Sequence, residues 1–61
     1  MPLTKVQQTE IKGLIASAEA SLKDAMTDIA TAKRAGIDVA EMETQARDLR
    51  DKIRKMKVIY G

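Results

Sequence analysis

Two separate stripes of apolar residues run along the chain with the spacing of a coiled-coil seam. In the first stripe, apolar residues recur in alternating steps of four and three, at Ile11, Ile15, Ala18, Leu22, Ala25, Ile29 and Ala32. In the second stripe, steps of three and four connect Val39, Met42, Ala46, Leu49, Ile53, Met56 and Tyr60. A repeat of about 3.5 residues places such residues on one narrow side of an α-helix. The pattern therefore predicts two amphipathic helices, each with one apolar seam.

The two stripes are out of phase with each other. Extending the first stripe at its own spacing beyond Ala32 would place three charged residues, Glu43, Arg50 and Lys57, on the seam. A single helix would therefore have to change register between Ala32 and Val39. A turn that reverses the chain explains the change of phase better, although a continuous helix with a local register slip stays open as the alternative.

The residues between the stripes favour the turn. Lys33 and Arg34 place positive charge in a last helical turn, and Gly36 readily adopts the left-handed conformation found just past a helix end. Asp38 can then accept hydrogen bonds from the first amides of a new helix, and Glu41 can complete a capping box with it. We expect Gly36, Asp38 and Glu41 to define the turn.

These signals predict one all-α domain over residues 1–61, an antiparallel two-helix hairpin. Helix 1 is expected from about residue 5 to 35, because Thr4 and Gln7 have the spacing of a capping box. The turn is expected at 36–38 and helix 2 from about 39 to 59. Across the seam of such a hairpin, Glu19 can meet Arg50 or Lys57.

A hairpin of this size leaves apolar residues uncovered. A chain of 61 residues buries only about 60% of its unfolded surface, which makes a lone domain marginally stable. We therefore expect a homo-oligomer, with a dimer favoured, or docking on another protein; two hairpins can associate into a four-helix bundle or a larger helical oligomer. The expected oligomer or partner interface consists of Leu3, Val6, Ile11, Leu14, Met26, Val58, Ile59 and Tyr60.

Composition excludes several kinds of chemistry. The chain has no Cys and no His, so disulfides, Cys and His zinc ligands and imidazole acid–base catalysis are absent. Asp24 and Asp28 are the only carboxylates four residues apart in helix 1, which is too few for a hard-cation site. We expect no catalytic residues, no metal, no cofactor and no small-molecule substrate, and hence not an enzyme.

A basic segment near the C-terminus supports an alternative function. The segment RDKIRKMK contains the cations Arg50, Lys52, Arg54, Lys55 and Lys57. A positive helix of this kind can contact nucleic acid phosphates. The structural interpretation is that positive charge complements the helix dipole at its C-terminal end and forms pairs four residues apart, such as Asp48 with Lys52.

The remaining sequence features limit location and role. The segment MPLTKVQQTE contains no apolar run of the length found in a signal peptide or a membrane span, so we expect a cytoplasmic protein without membrane association. A net charge of +2 does not by itself indicate a polyanionic partner. The sequence favours a small non-enzymatic interaction or assembly module: an accessory factor, an inhibitor or a structural component, including one encoded by a phage.

Overall fold

The structure, a computed structural model, describes residues 3–60, which form two α-helices packed side by side. Helix α1 spans Lys5–Arg34 and helix α2 spans Ala40–Tyr60. The two helices contact each other and run in opposite directions, so the predicted all-α hairpin is confirmed. Helix α1 ends one residue before the predicted limit, and α2 begins and ends one residue after its predicted limits.

A capping box begins α1. The Thr4 hydroxyl accepts a hydrogen bond from the Gln7 amide at 3.1 Å, and the Gln7 side-chain oxygen accepts one from the Thr4 amide at 3.0 Å. Each side chain thereby satisfies a backbone donor that has no partner inside the helix. The prediction that helix 1 starts after Thr4 is confirmed.

The end of α1 is a left-handed turn at Gly36. This glycine has a φ of 82°, and its amide donates to the Lys33 carbonyl at 3.1 Å. The following Ile37 amide donates to the Ala32 carbonyl at 3.0 Å. These two bonds form the Schellman arrangement that satisfies the last carbonyls of a helix, and they turn the chain away from the α1 axis.

Helix α2 begins in a different way from the one the sequence predicts. The Asp38 carboxylate accepts a hydrogen bond from the Ala40 amide at 3.0 Å, and the Val39 carbonyl accepts the first helical bond, from the Glu43 amide, at 2.8 Å. A capping box would require the Glu41 carboxylate to accept a hydrogen bond from the Asp38 amide. Within residues 3–60 the Glu41 carboxylate accepts no hydrogen bond, so the expected capping box is not formed. Because α2 starts at Ala40, its third position is Met42 rather than Glu41.

The apolar stripes form the contact between the helices. All seven residues of the first stripe are buried or half-buried, and so are five of the seven in the second, while Met42 and Tyr60 are each 38% exposed. The predicted seam is therefore confirmed. Among residues 3–60, only Ile15, Val39 and Ile53 are buried, each 4–5% exposed, so the hairpin has a very small core.

The molecule is a single layer of helices. Its principal-axis extents are 49, 15 and 11 Å, and its accessible surface is 5141 Å². A compact monomer of 6.7 kDa would expose about 3,900 Å², so the hairpin exposes roughly 1,200 Å² more. Neither helix is long and apolar enough to cross a membrane, as far as residues 3–60 show.

Candidate protein-interaction surfaces

An open groove runs along one side of the hairpin between the two helices. Its volume is about 830 Å³. Five apolar side chains line it, namely Leu22, Met26 and Ala30 of α1 and Ile53 and Val58 of α2. Ile53 is only 4% exposed at the bottom of the groove, whereas Met26 is 55% exposed at the centre of its α1 wall. The groove therefore offers apolar contact surface without further rearrangement of the hairpin.

Cationic side chains border this apolar surface. They are Lys23 and Arg34 on α1 and Arg50, Arg54 and Lys57 on α2. Glu19 also lines the groove, and its carboxylate is 3.3 Å from the Lys57 ammonium. Both of these side chains are about half exposed, and this contact confirms one of the two cross-seam pairs that the sequence predicts. Lys57 and Glu19 offset each other, and the other four cations face the groove around its apolar surface.

The groove continues towards the turn as a smaller depression of about 380 Å³. The two depressions share Met26, Ala30 and Arg50, so they form one continuous surface, which we call the groove face. The smaller depression adds three charged residues, which are Lys33, Glu43 and Arg47. Along α1 the groove face extends from Glu19 to Arg34, which is about 22 Å of helix.

The groove face carries most of the positive charge of the chain. Seven of the eleven cations but only two of the nine carboxylates line it, which gives a net side-chain charge of +5. The four cations and seven carboxylates elsewhere sum to −3. A modest net charge of +2 therefore conceals a strongly basic face.

Heptad position explains which residues reach the groove face. Glu19 and Met26 each follow a small seam residue of α1, and Arg50 and Lys57 each follow a large seam residue of α2. In an antiparallel pair, these positions of the two helices lie on the same side of the seam. Residues that precede a seam position lie on the opposite side.

The eight residues of the predicted interface fall on different surfaces. Met26 and Val58 line the groove. Leu14 and Ile59 line neither depression and are 68% and 70% exposed; each precedes a seam residue, which places them on the opposite side. Ile11 is a half-buried seam residue, Leu3 is half-buried, Val6 is 68% exposed and Tyr60 38% exposed. We call the apolar surface of Val6, Leu14, Ile59 and Tyr60, at the end opposite the turn, the open end.

The five residues of the basic segment also divide. Arg50, Arg54 and Lys57 line the groove, whereas Lys52 and Lys55 do not. The Lys52 ammonium and the Asp48 carboxylate lie more than 4.0 Å apart, so this predicted pair is not formed. Within residues 3–60, the only ion pair besides Glu19–Lys57 joins the Arg50 Nε to the Asp51 carboxylate, at 3.9 Å. Most of the basic segment is thus free of ionic partners within the described part of the chain.

The contribution of α1 to the basic surface was not predicted from the sequence. Lys23 and Arg34 are far from the basic segment in the chain, but they line the same groove as Arg50 and Arg54. The available signal was the side of the seam on which each cation falls.

No family model, no curated protein and no solved structure matches this chain.

Proposed function

We propose that this chain is a small non-enzymatic module that binds other protein chains and associates with itself, with a dimer favoured. The carrying observation is its uncovered apolar surface: of the residues that the structure describes, eight large apolar side chains are at least 38% exposed and only three are buried. Exposed apolar surface of this extent is typical of interaction sites. The roughly 1,200 Å² of extra surface is larger than the surface of about 800 Å² that each partner buries in a standard protein–protein interface.

The open end is the proposed surface for self-association. Leu14 and Ile59 are largely exposed there, and both lie on the side away from the basic groove. Pairing two groove faces directly would bring two surfaces of +5 together, and such like-charge contacts are unfavourable. A dimer through the open end avoids this repulsion and leaves the groove accessible.

Substitution of Leu14 tests the proposed self-association. Leu14→Glu places a charge on the open end and should reduce the molar mass measured by light scattering to that of one chain, because burying an unpaired carboxylate in an interface is strongly unfavourable. The helical circular dichroism should be retained, since Leu14 is 68% exposed in the hairpin.

Met26→Glu is the matched control for this experiment. It introduces the same charge on the same helix at a residue that is 55% exposed, but on the groove face. The control should leave the molar mass of the oligomer unchanged. If Leu14→Glu has no effect on the mass while Met26→Glu lowers it, the open end is not the self-association surface.

The charge of the groove face favours a second candidate function, nucleic-acid binding. A surface of +5 attracts phosphates, and such binding weakens steeply with salt. The substitutions Arg50→Glu and Arg54→Glu together, both in the groove, should then abolish a salt-sensitive mobility shift of an oligonucleotide. The absence of any shift of wild-type protein at low salt would eliminate this function.

The cellular role of the module is a broader proposal. An accessory factor, an inhibitor and a structural component of a larger particle all use a small protein-binding surface of this kind. The cytoplasmic location expected from the sequence stays a prediction.

A further inference from the structure

We propose that the groove face binds an acidic amphipathic α-helix of a different protein, which would complete a three-helix arrangement with α1 and α2. This inference rests on the proposed function as a protein-binding module and adds the chemistry of the partner. Three properties of the groove face carry it: its length, its apolar centre and its cationic border.

The dimensions of the groove face match those of a helix. Its α1 side, from Glu19 to Arg34, is about 22 Å long, which corresponds to a partner helix of about 15 residues, or four turns. The seam residues Leu22 and Ile53 lie along its floor, and Met26 lies on its α1 wall. An amphipathic helix places apolar residues on one side at every third or fourth position, and grooves between helices bind such a stripe.

The charges of the groove border select an acidic partner. Lys23 and Arg34 flank the apolar centre on α1, and Arg50 and Arg54 flank it on α2. A bound helix would have Asp or Glu residues on both sides of its apolar stripe, within reach of these cations. Such complementarity selects partners and increases the association rate.

A second copy of this chain does not fit the groove. Six of the seven carboxylates outside the groove face precede a seam residue, which places them on the opposite side of the hairpin. The exposed apolar residues Leu14 and Ile59 lie on that side only at the open end, so no apolar stripe runs beside Asp24, Asp28 and Asp48. The groove face of a second copy has the apolar residues but carries the same net charge of +5.

Nucleic acid and a lipid bilayer also fit the groove less well. Bases stack on aromatic side chains, but Tyr60, the only aromatic residue of the chain, is not among the groove residues. A flat bilayer surface would reach only the protruding Met26 and Val58, which are 55% and 82% exposed, and not Ile53, which is 4% exposed between the cationic residues. A helical peptide can enter the groove and contact Ile53.

Selection from a displayed peptide library tests the proposal without assuming a partner sequence. The library presents helical peptides of about 16 residues, with apolar residues fixed on one side and random residues elsewhere. Selection on wild-type protein should enrich peptides with Asp and Glu beside the apolar stripe. The enriched peptides are then synthesised, and their dissociation constants are measured by fluorescence anisotropy.

Two matched pairs of variants locate the binding site. Arg54→Glu should weaken peptide binding at least about tenfold, and Lys55→Glu by less than about threefold, because only Arg54 lines the groove. Met26→Glu should weaken binding at least about tenfold, and Leu14→Glu should have little effect. All four residues are exposed, so circular dichroism should report a folded hairpin in every variant.

Several results would overturn the proposal. One is enrichment of neutral or basic peptides, and another is equal enrichment on wild-type protein and on the Met26→Glu variant. A third is an equal loss of peptide affinity in Arg54→Glu and Lys55→Glu. Tighter binding of a single-stranded oligonucleotide or of anionic vesicles at the groove would assign it to a polyanion or a membrane instead. If Leu14→Glu lowers the oligomer mass but no peptide is enriched, the groove assignment fails and self-association stands. If acidic peptides are enriched but Leu14→Glu leaves the mass unchanged, self-association through the open end fails and the groove assignment stands.

Discussion

At the scale of single residues, Gly36 and Gly13 occupy different backbone conformations. Gly36 has a backbone φ of 82°, a value that residues with a side chain rarely adopt. Gly13 lies within helix α1. A Cβ atom added at either position would meet nothing within 4 Å. The effect of a side chain at each glycine is therefore set by the backbone rather than by packing.

The two glycine-to-alanine substitutions should consequently have opposite effects. Gly36→Ala should lower the free energy of unfolding by about 1 kcal/mol, because alanine is strained in the left-handed conformation. Gly13→Ala should raise it by about 1 kcal/mol, since alanine has the higher helix propensity. Urea unfolding followed by circular dichroism measures both, and stabilisation by Gly36→Ala would contradict the turn.

At the scale of the helices, a narrow seam holds α1 and α2 together. Ile15, Val39 and Ile53 are the only buried residues within the described range 3–60, so each contributes a large share of the apolar contact. Small proteins have little excess stability, and the loss of one such contact is a large fraction of it.

Truncation of a seam residue should therefore unfold much of the population. Ile53→Ala should lower the free energy of unfolding by about 2–4 kcal/mol, because it removes a side chain that is 4% exposed. Ile37→Ala is the control with the same change of side chain at a residue 56% exposed, and it should cost less than about 1 kcal/mol. If chemical denaturation shows an equal loss of unfolding free energy in Ile53→Ala and Ile37→Ala, the seam is not the core.

The helices and their seam could be predicted from sequence because they depend on regular local spacing. The turn was also readable, since Gly36 stands between two stripes of different phase. The capping box of Asp38 and Glu41 was wrong, because a shift of one residue in the start of α2 moves Glu41 away from the required position. Helix ends depend on tertiary context that a spacing rule does not contain.

The groove could not be predicted from either helix alone. Its border combines Lys23 and Arg34 with Arg50 and Arg54, which meet only once the two helices are paired in register. The cations of α2 form one segment in the sequence, whereas the structure places Lys52 and Lys55 outside the groove. Residues that are neighbours in a helix point in different directions, so a charged segment does not define a charged face.

At the scale of the whole molecule, the hairpin is one layer with two different sides. One side has a basic groove with an apolar centre, and the remainder of the chain carries a net charge of −3. Stable domains usually bury the apolar side of each helix between at least two layers. This hairpin supplies one layer, and in our proposal a second copy at the open end and an acidic helix in the groove supply the missing contacts.

The molar mass in solution shows directly whether copies of this chain associate. It should be measured by light scattering behind a sizing column over a wide range of protein concentration. Self-association through the open end predicts a mass that rises from the 6.7 kDa of one chain to twice that value as concentration increases. A well-folded hairpin whose mass stays at 6.7 kDa at every concentration would contradict the claim that the open end joins copies of this chain.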